Sequence, residues 1–142
     1  MNKPGQIRVI TLGFIQDGDR IFVSEGYDPV KQETFYRALG GGVDFGETSL
    51  DALKREFHEE LQAELTNITY LGCVENLFIY DGKPGHEVIQ VYRCDFAEPK
   101  FYQLESLTFY EGDRSHQALW VKSDRFKTRE LKLVPEAFLE YL

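Results

Sequence analysis

At 142 residues with a hydrophobic fraction of 42%, the chain has the length of a single domain, 1–142, large enough for a real core. A formal net charge of −8 argues against a protein that grips nucleic-acid backbone, and no apolar run approaches the roughly 20 residues that a membrane span requires. Met1-Asn2-Lys3-Pro4-Gly5 lacks the apolar segment of a secretion signal, and Cys73 and Cys94 read as small buried hydrophobes with reduced thiols, so the expected setting is the cytoplasm.

Residues 6–15 read as a strand on Ile7, Val9, Ile10, Leu12, Phe14 and Ile15. Asp17-Gly18-Asp19 is a hairpin signal, and 20–27 returns as a second strand with Ile21, Phe22 and Val23. A loop at 26–32 contains Pro29, and 34–39 is a short strand feeding the glycine turn Gly40-Gly41-Gly42. Arg37, four positions before Gly41, either reaches a substrate phosphate or is a surface arginine on an edge strand.

The next element is a helix. Thr48 with Asp51 fits a capping box, and Asp51 puts negative charge near the positive end of the helix dipole. Residues 50–61 contain no Gly or Pro, and Leu50, Leu53, Phe57 and Leu61 recur at helical spacing as one apolar stripe. At about 100° per residue, Glu56, Glu59 and Glu60 fall within an arc of about 100° beside that stripe. Taken alone they could be a solvated face. Like charges at i, i+4 destabilise a helix by a few tenths of a kcal/mol, and a bound divalent cation reverses that sign. Oxygen-only ligands suit Mg²⁺ or Mn²⁺. Arg55 can pair with Glu59 or with Glu47, and the glycines let backbone approach a metal or a phosphate closely.

Beyond the helix, 68–80 and 86–96 read as a long hairpin across a loop at 81–85. Residues 98–112 carry an aromatic patch interrupted by Glu105 and Glu111. It is either packing or a specificity loop whose rings stack a base and whose acid adds a metal ligand or the general base. Residues 117–122 form the last strand, with Trp120 as a core anchor, and 134–142 a closing helix that begins near Pro135. His58 and His116 read as surface or packing residues. Strands outnumber helices, which gives an α+β fold with a mixed sheet.

The joint spacing of Gly41, Glu47, Arg55, Glu56, Glu59 and Glu60, with Phe57 as the bulky apolar residue, resembles the Nudix hydrolase signature G-x5-E-x7-R-E-U-x-E-E-x-G-U across 41–63. Two positions depart from it. Gln62 replaces the glycine that normally ends the helix, so the helix is expected to run on as far as Asn67, and Ala63 is a small version of the last apolar residue. The run Gly85-His86-Glu87 resembles a stretch found in a subset of the family; a turn and strand start is its default reading.

The resemblance implies a Nudix-type α/β/α sandwich with the motif loop–helix at the edge of a mixed β-sheet. It implies a Mg²⁺-dependent pyrophosphohydrolase, with Mn²⁺ as the other candidate ion, acting on a nucleoside diphosphate linked to a further group X. Glu56, Glu59 and Glu60 become metal ligands. Glu59 becomes the general base, steered by Arg55, and Glu47 a partner of Arg55. Arg37, Gly41 and Gly42 become substrate-binding residues. The partner is a small phosphorylated nucleotide, with neither nucleic-acid polymer nor membrane, and a homodimer is compatible with the family. A sanitiser of damaged nucleoside triphosphates and a non-catalytic nucleotide-binding regulator are the alternatives.

Overall fold

The computed structural model describes residues 5–142, so the reading of Met1-Asn2-Lys3-Pro4 lies outside it. In chain order the elements are β1 (Arg8–Asp17), β2 (Arg20–Asp28), β3 (Glu33–Arg37), β4 (Leu39–Gly42), α1 (Ser49–Leu61), β5 (Leu65–Tyr80) and β6 (Lys83–Phe96). Then come α2 (Lys100–Gln103), β7 (Ser106–Glu111), β8 (Arg114–Lys122), α3 (Ser123–Lys127) and a 3₁₀ helix (Glu136–Tyr141).

The strands run β5-β6-β1-β2-β8-β7, with β3 added to β2 and β4 added to β1. Among the strands of the described residues, only β1 and β6 pair in parallel. The hairpin β1–β2 is joined solely at Gln16↔Ile21 and Asp17↔Arg20. Past those residues β1 pairs with β4 and β2 with β3, so two half-sheets diverge from a shared corner. The predicted single strand 34–39 is therefore two strands. The chain crosses between the half-sheets at Ala38, and the glycine run is itself β4.

Alternation along the strands builds a core on each face. Ile10, Leu12 and Phe14 pack with Ile21, Val23, Ile89 and Val91 beneath Phe126, Leu133 and Phe138. Ile15, Phe22, Tyr92, Cys94 and Phe96 pack on the opposite face against Leu53, Phe57 and Leu61 of α1. Helical segments thus cover both faces of the sheet, the expected α/β/α sandwich. Each fully buried large side chain contributes about 1.5–3 kcal/mol relative to exposure.

Helix α1 starts as expected, with Thr48 Oγ1 accepting from the Asp51 N–H at 3.1 Å. Leu50 is 36% exposed, whereas Ala52 is buried beside Leu53, Phe57 and Leu61. Leu50 therefore drops out of the expected apolar stripe, because it sits in the first turn, ahead of the segment that packs on the sheet.

The helix does not run on to Asn67. Gln62 adopts the left-handed conformation at φ 51°, its N–H donates to His58 O at 2.9 Å, and Ala63 is buried. Burial of Ala63 turns the chain back so that β5 can begin at Leu65. A left-handed residue with a Cβ is strained by roughly 1 kcal/mol relative to glycine. Gln62→Gly is therefore expected to raise stability by up to about 1 kcal/mol, read as an upward shift of the urea midpoint with the slope unchanged.

Cys94 is buried as predicted, but Cys73 is exposed because β5 is an edge strand with much of its surface facing out. Residues 98–112 form a short helix, α2, and strand β7. Phe96 and Phe101 stack at 4.5 Å, and Trp120 Nε1 donates to Phe101 O at 2.9 Å, so this end of the aromatic patch is packing. The closing helix is 3₁₀ in form and buries Phe138.

Candidate active site

The diverging half-sheets enclose a cleft of about 520 Å³, within the usual size of a small-molecule site. Ile10, Leu12 and Gly41 border it from one half-sheet, Phe35, Phe109 and Glu111 from the other, and Glu60 of α1 closes one end.

Arg55 organises that end. Its Nη2 donates to Glu47 Oε1 at 2.6 Å and to Gly42 O at 2.9 Å, and its Nε to Glu47 Oε2 at 3.1 Å. Nη1 donates to Glu56 Oε1 at 2.9 Å and to Glu59 Oε2 at 3.2 Å. The alternatives open in the sequence, Glu47 or Glu59, are both realised by one guanidinium. Its bonds hold the Glu47 carboxyl below the usual range, and the Glu47 carboxylate in turn raises Arg55. Glu47 Oε1 also accepts from the Asp44 N–H at 2.9 Å, which fixes the loop into the helix.

Gly41 has a steric reason to be glycine. A Cβ there would overlap the carboxylate of Glu56, so it is Glu56 that approaches the bare backbone. Glu60 is pushed up to about 9, first by burial, then by its side-chain hydrogen bond with Glu56 and by the charges of Glu56, Glu111 and Glu59. Glu111, on β7, is the acid from 98–112 that reaches the cleft. Glu59, its side chain 58% exposed, accepts from the same Arg55 Nη1 as Glu56.

Among the described residues no three His, Cys, Asp or Glu side chains already stand together at metal-holding distance. The donor set nevertheless fits a hard divalent cation. Glu56 and Glu60 offer only oxygen, and burial together with the neighbouring carboxylates holds the Glu60 carboxyl above the usual range, a penalty that a cation would offset. Glu59 is bonded to Arg55 through one carboxylate oxygen, Oε2.

Arg37 is not a free phosphate ligand. Its Nη2 lies 2.7 Å from Glu87 Oε1, a carboxylate only 3% exposed. Asn76 Nδ2 donates to the same oxygen at 3.3 Å. Sequence reasoning missed both partners. The available signal was parity: Glu87 shares its strand face with Ile89 and Val91, so a carboxylate there had to point inward.

Residues 6–141 match the NUDIX domain family. The chain belongs to that family. Similar solved structures include the MutT NUDIX hydrolase from Burkholderia pseudomallei, at 27% identity over 84% of this chain and 85% of that one, TM-score 0.61. A MutT from work on Aliivibrio salmonicida and Vibrio cholerae aligns at 21% identity over 96% of both chains, TM-score 0.58. A NUDIX hydrolase from Nitrosomonas europaea aligns at 16% identity over 94% of this chain and 82% of that one, TM-score 0.60. At their lower identity the last two show the fold alone. Nudix membership and the first neighbour support a hydrolase of pyrophosphate bonds in general. No helix among the described residues is long and apolar enough to cross a membrane.

The raised Glu60 carboxyl gives the candidate site a pH signature. In the metal-free protein Glu60 keeps its proton above the unfolded value of 4.5, up to about 9. The folded state therefore binds more protons than the unfolded state in that window, and Glu60's contribution to stability falls as pH rises from 4.5 to 9. A cation that displaces the proton binds more tightly over the same rise. Melting curves across pH, with and without Mg²⁺, are expected to diverge toward alkaline pH. Parallel curves would remove the assignment.

Proposed function

We propose that the chain is a Mg²⁺-dependent pyrophosphohydrolase, with Mn²⁺ able to serve, that cleaves the phosphoanhydride of a nucleoside diphosphate linked to another group X. One arrangement carries this reading: Glu60, with Glu56 and Glu111 as its acidic neighbours, lines a cleft of about 520 Å³.

Glu56, Glu59 and Glu60 would hold the ion. When bound, it supplies neutralisation of charge on the pyrophosphate oxygens. Glu59, steered by Arg55, orients and deprotonates the attacking water, and Glu111 is the competing candidate for that proton. Gly41 keeps the wall beside Glu56 thin enough for phosphate to approach. Gly42, whose carbonyl accepts from Arg55, acts on the substrate only through that contact. Arg37 binds substrate away from the phosphates. Free thiols at Cys73 and Cys94 fit a cytoplasmic setting.

The test is product release from ADP-ribose, dinucleoside polyphosphates and nucleoside triphosphates, with and without Mg²⁺ or Mn²⁺. Cleavage of ADP-ribose to AMP and ribose 5-phosphate, lost on chelation, is the expected result. Preference for damaged triphosphates would make the chain a sanitiser instead. No turnover of any member with either ion would leave a nucleotide-binding regulator and overturn the proposal.

A further inference from the structure

The deepest polar group in the cleft is the pair Arg37–Glu87, and it plays no part in the chemistry at Glu56 and Glu60. Building on the pyrophosphohydrolase reading, we propose that Arg37, Glu87 and Asn76 read the edge of the substrate's nucleobase, with Phe35 and Phe78 as its aromatic walls.

The strand periodicity places these groups. Phe35 and Arg37 stand two apart on β3, and Asn76 and Phe78 stand two apart on β5. Residues at i and i+2 share a face about 6.6 Å apart. Each wall of the cleft therefore carries a ring and, one step along, a polar reader. The two walls belong to different half-sheets, and Glu87 on β6 bridges them through Arg37.

Both rings lie down on backbone. Phe35 is cross-strand from Gly26, and Phe78 from Gly85. A Cβ on either glycine would collide with the ring, so the glycines let the rings lie flat. The outer end is tied by Lys31 Nζ donating to Ile79 O at 2.8 Å and by Tyr80 OH donating to Tyr27 O at 3.1 Å. These bonds hold the two walls in place, which lowers the ordering cost of binding a planar ligand.

The polar groups are matched to a base, not to a phosphate. Glu87 counters the charge of Arg37, and its carboxylate repels an anion. Arg37 and Asn76 both donate to Glu87 Oε1, leaving Oε2 without a partner among the described residues. Arg37 Nε is buried and lacks an acceptor among the described residues, a state that is unfavourable until an acceptor arrives. An obligate acceptor beside an obligate donor suits an edge with an N–H next to a carbonyl or ring nitrogen, which nucleobases carry. A buried ion pair is often no more stabilising than apolar residues of similar volume, so stability alone gives it little reason to be there. Arg37 of β3 and Gly41 of β4 line the same cleft. A base at the pair would leave the remainder of that cleft, which Glu60 also lines, for the ribose and pyrophosphate.

The experiment compares hydrolysis of a nucleoside diphosphate sugar with that of its abasic counterpart, in which hydrogen replaces the base at C1′, both with Mg²⁺. The wild-type KM is expected to be at least roughly tenfold lower for the base-bearing substrate, the effect of one charged hydrogen bond. Glu87→Gln, which keeps an acceptor for Arg37 and Asn76, is expected to raise that KM roughly 10–100-fold and collapse the preference. Phe78→Leu tests the wall independently should the first variant fold poorly, and is also expected to shrink the KM ratio. Equal wild-type KM values, or a ratio unchanged in the folded variants, overturn the inference while leaving the hydrolase reading intact. No turnover of either substrate overturns both.

Discussion

Glu60→Gln is expected to lower kcat by roughly 10²–10³-fold while leaving the metal-free melting temperature unchanged or higher. The two halves of that result have one cause. Burial and the neighbouring carboxylates keep Glu60 protonated near neutral pH when no cation is present. Glutamine is a neutral isostere of that protonated acid, so the metal-free fold loses no charge it was using. What it loses is the ability to become an anion when a cation arrives. The melting temperature should therefore rise with Mg²⁺ in the wild type and stay flat in the variant. At 100 times Kd the ligand term alone is about 2.7 kcal/mol, large enough to resolve by thermal melting. Steady-state kinetics and melts with and without Mg²⁺ provide the check. A variant that turns over at the wild-type rate would place the site elsewhere.

How much of this could be read in advance depends on whether a feature is local. Arg55, Glu56 and Glu60 lie within two helical turns, so their common flank followed from 3.6-residue geometry. Strand alternation at Ile10, Leu12 and Phe14 likewise announced a face, and the structure adds only which core it faces. Gln62 was misread because its own preference, against a left-handed conformation, lost to burial of Ala63 next door. Burial of that kind is a tertiary fact. The meeting of Arg37 with Glu87, 50 positions away, depends on two half-sheets diverging from Gln16 and Asp17, and no local pattern encodes that divergence. Glu111 could be flagged as an acid in the right region. Its place opposite Glu60 required β7, which the aromatic pattern of 98–112 had hidden.

Arg55→Lys should do what Glu60→Gln does not, and weaken the fold and the site together. The guanidinium ties Glu47, Glu56, Glu59 and the Gly42 carbonyl with a planar set of donors. An ammonium has three donors on a single nitrogen and cannot reach both edges of that arrangement. Gly42 O or one of the carboxylates must lose its partner, and Glu56 then faces Glu60 with less positive charge nearby. Arg55 retains 27% exposure, so solvent screens part of the loss, and a destabilisation of about 1–2 kcal/mol is expected. Metal affinity should fall roughly 10–100-fold, because Arg55 is an outer partner of the very carboxylates that would bind the ion. The acid limb separates this loss from a general one. Arg55 holds the Glu47 carboxyl low, so Glu47 contributes stability above its ordinary value of 4.5 that is lost as pH falls through its depressed folded value. Removing the fork should flatten that acid limb while leaving the alkaline fall caused by Glu60 in place. Urea unfolding between acid and neutral pH, paired with Mg²⁺ titration, measures both. If Arg55→Lys keeps the wild-type acid limb and ion affinity, the guanidinium is not what aligns the carboxylates.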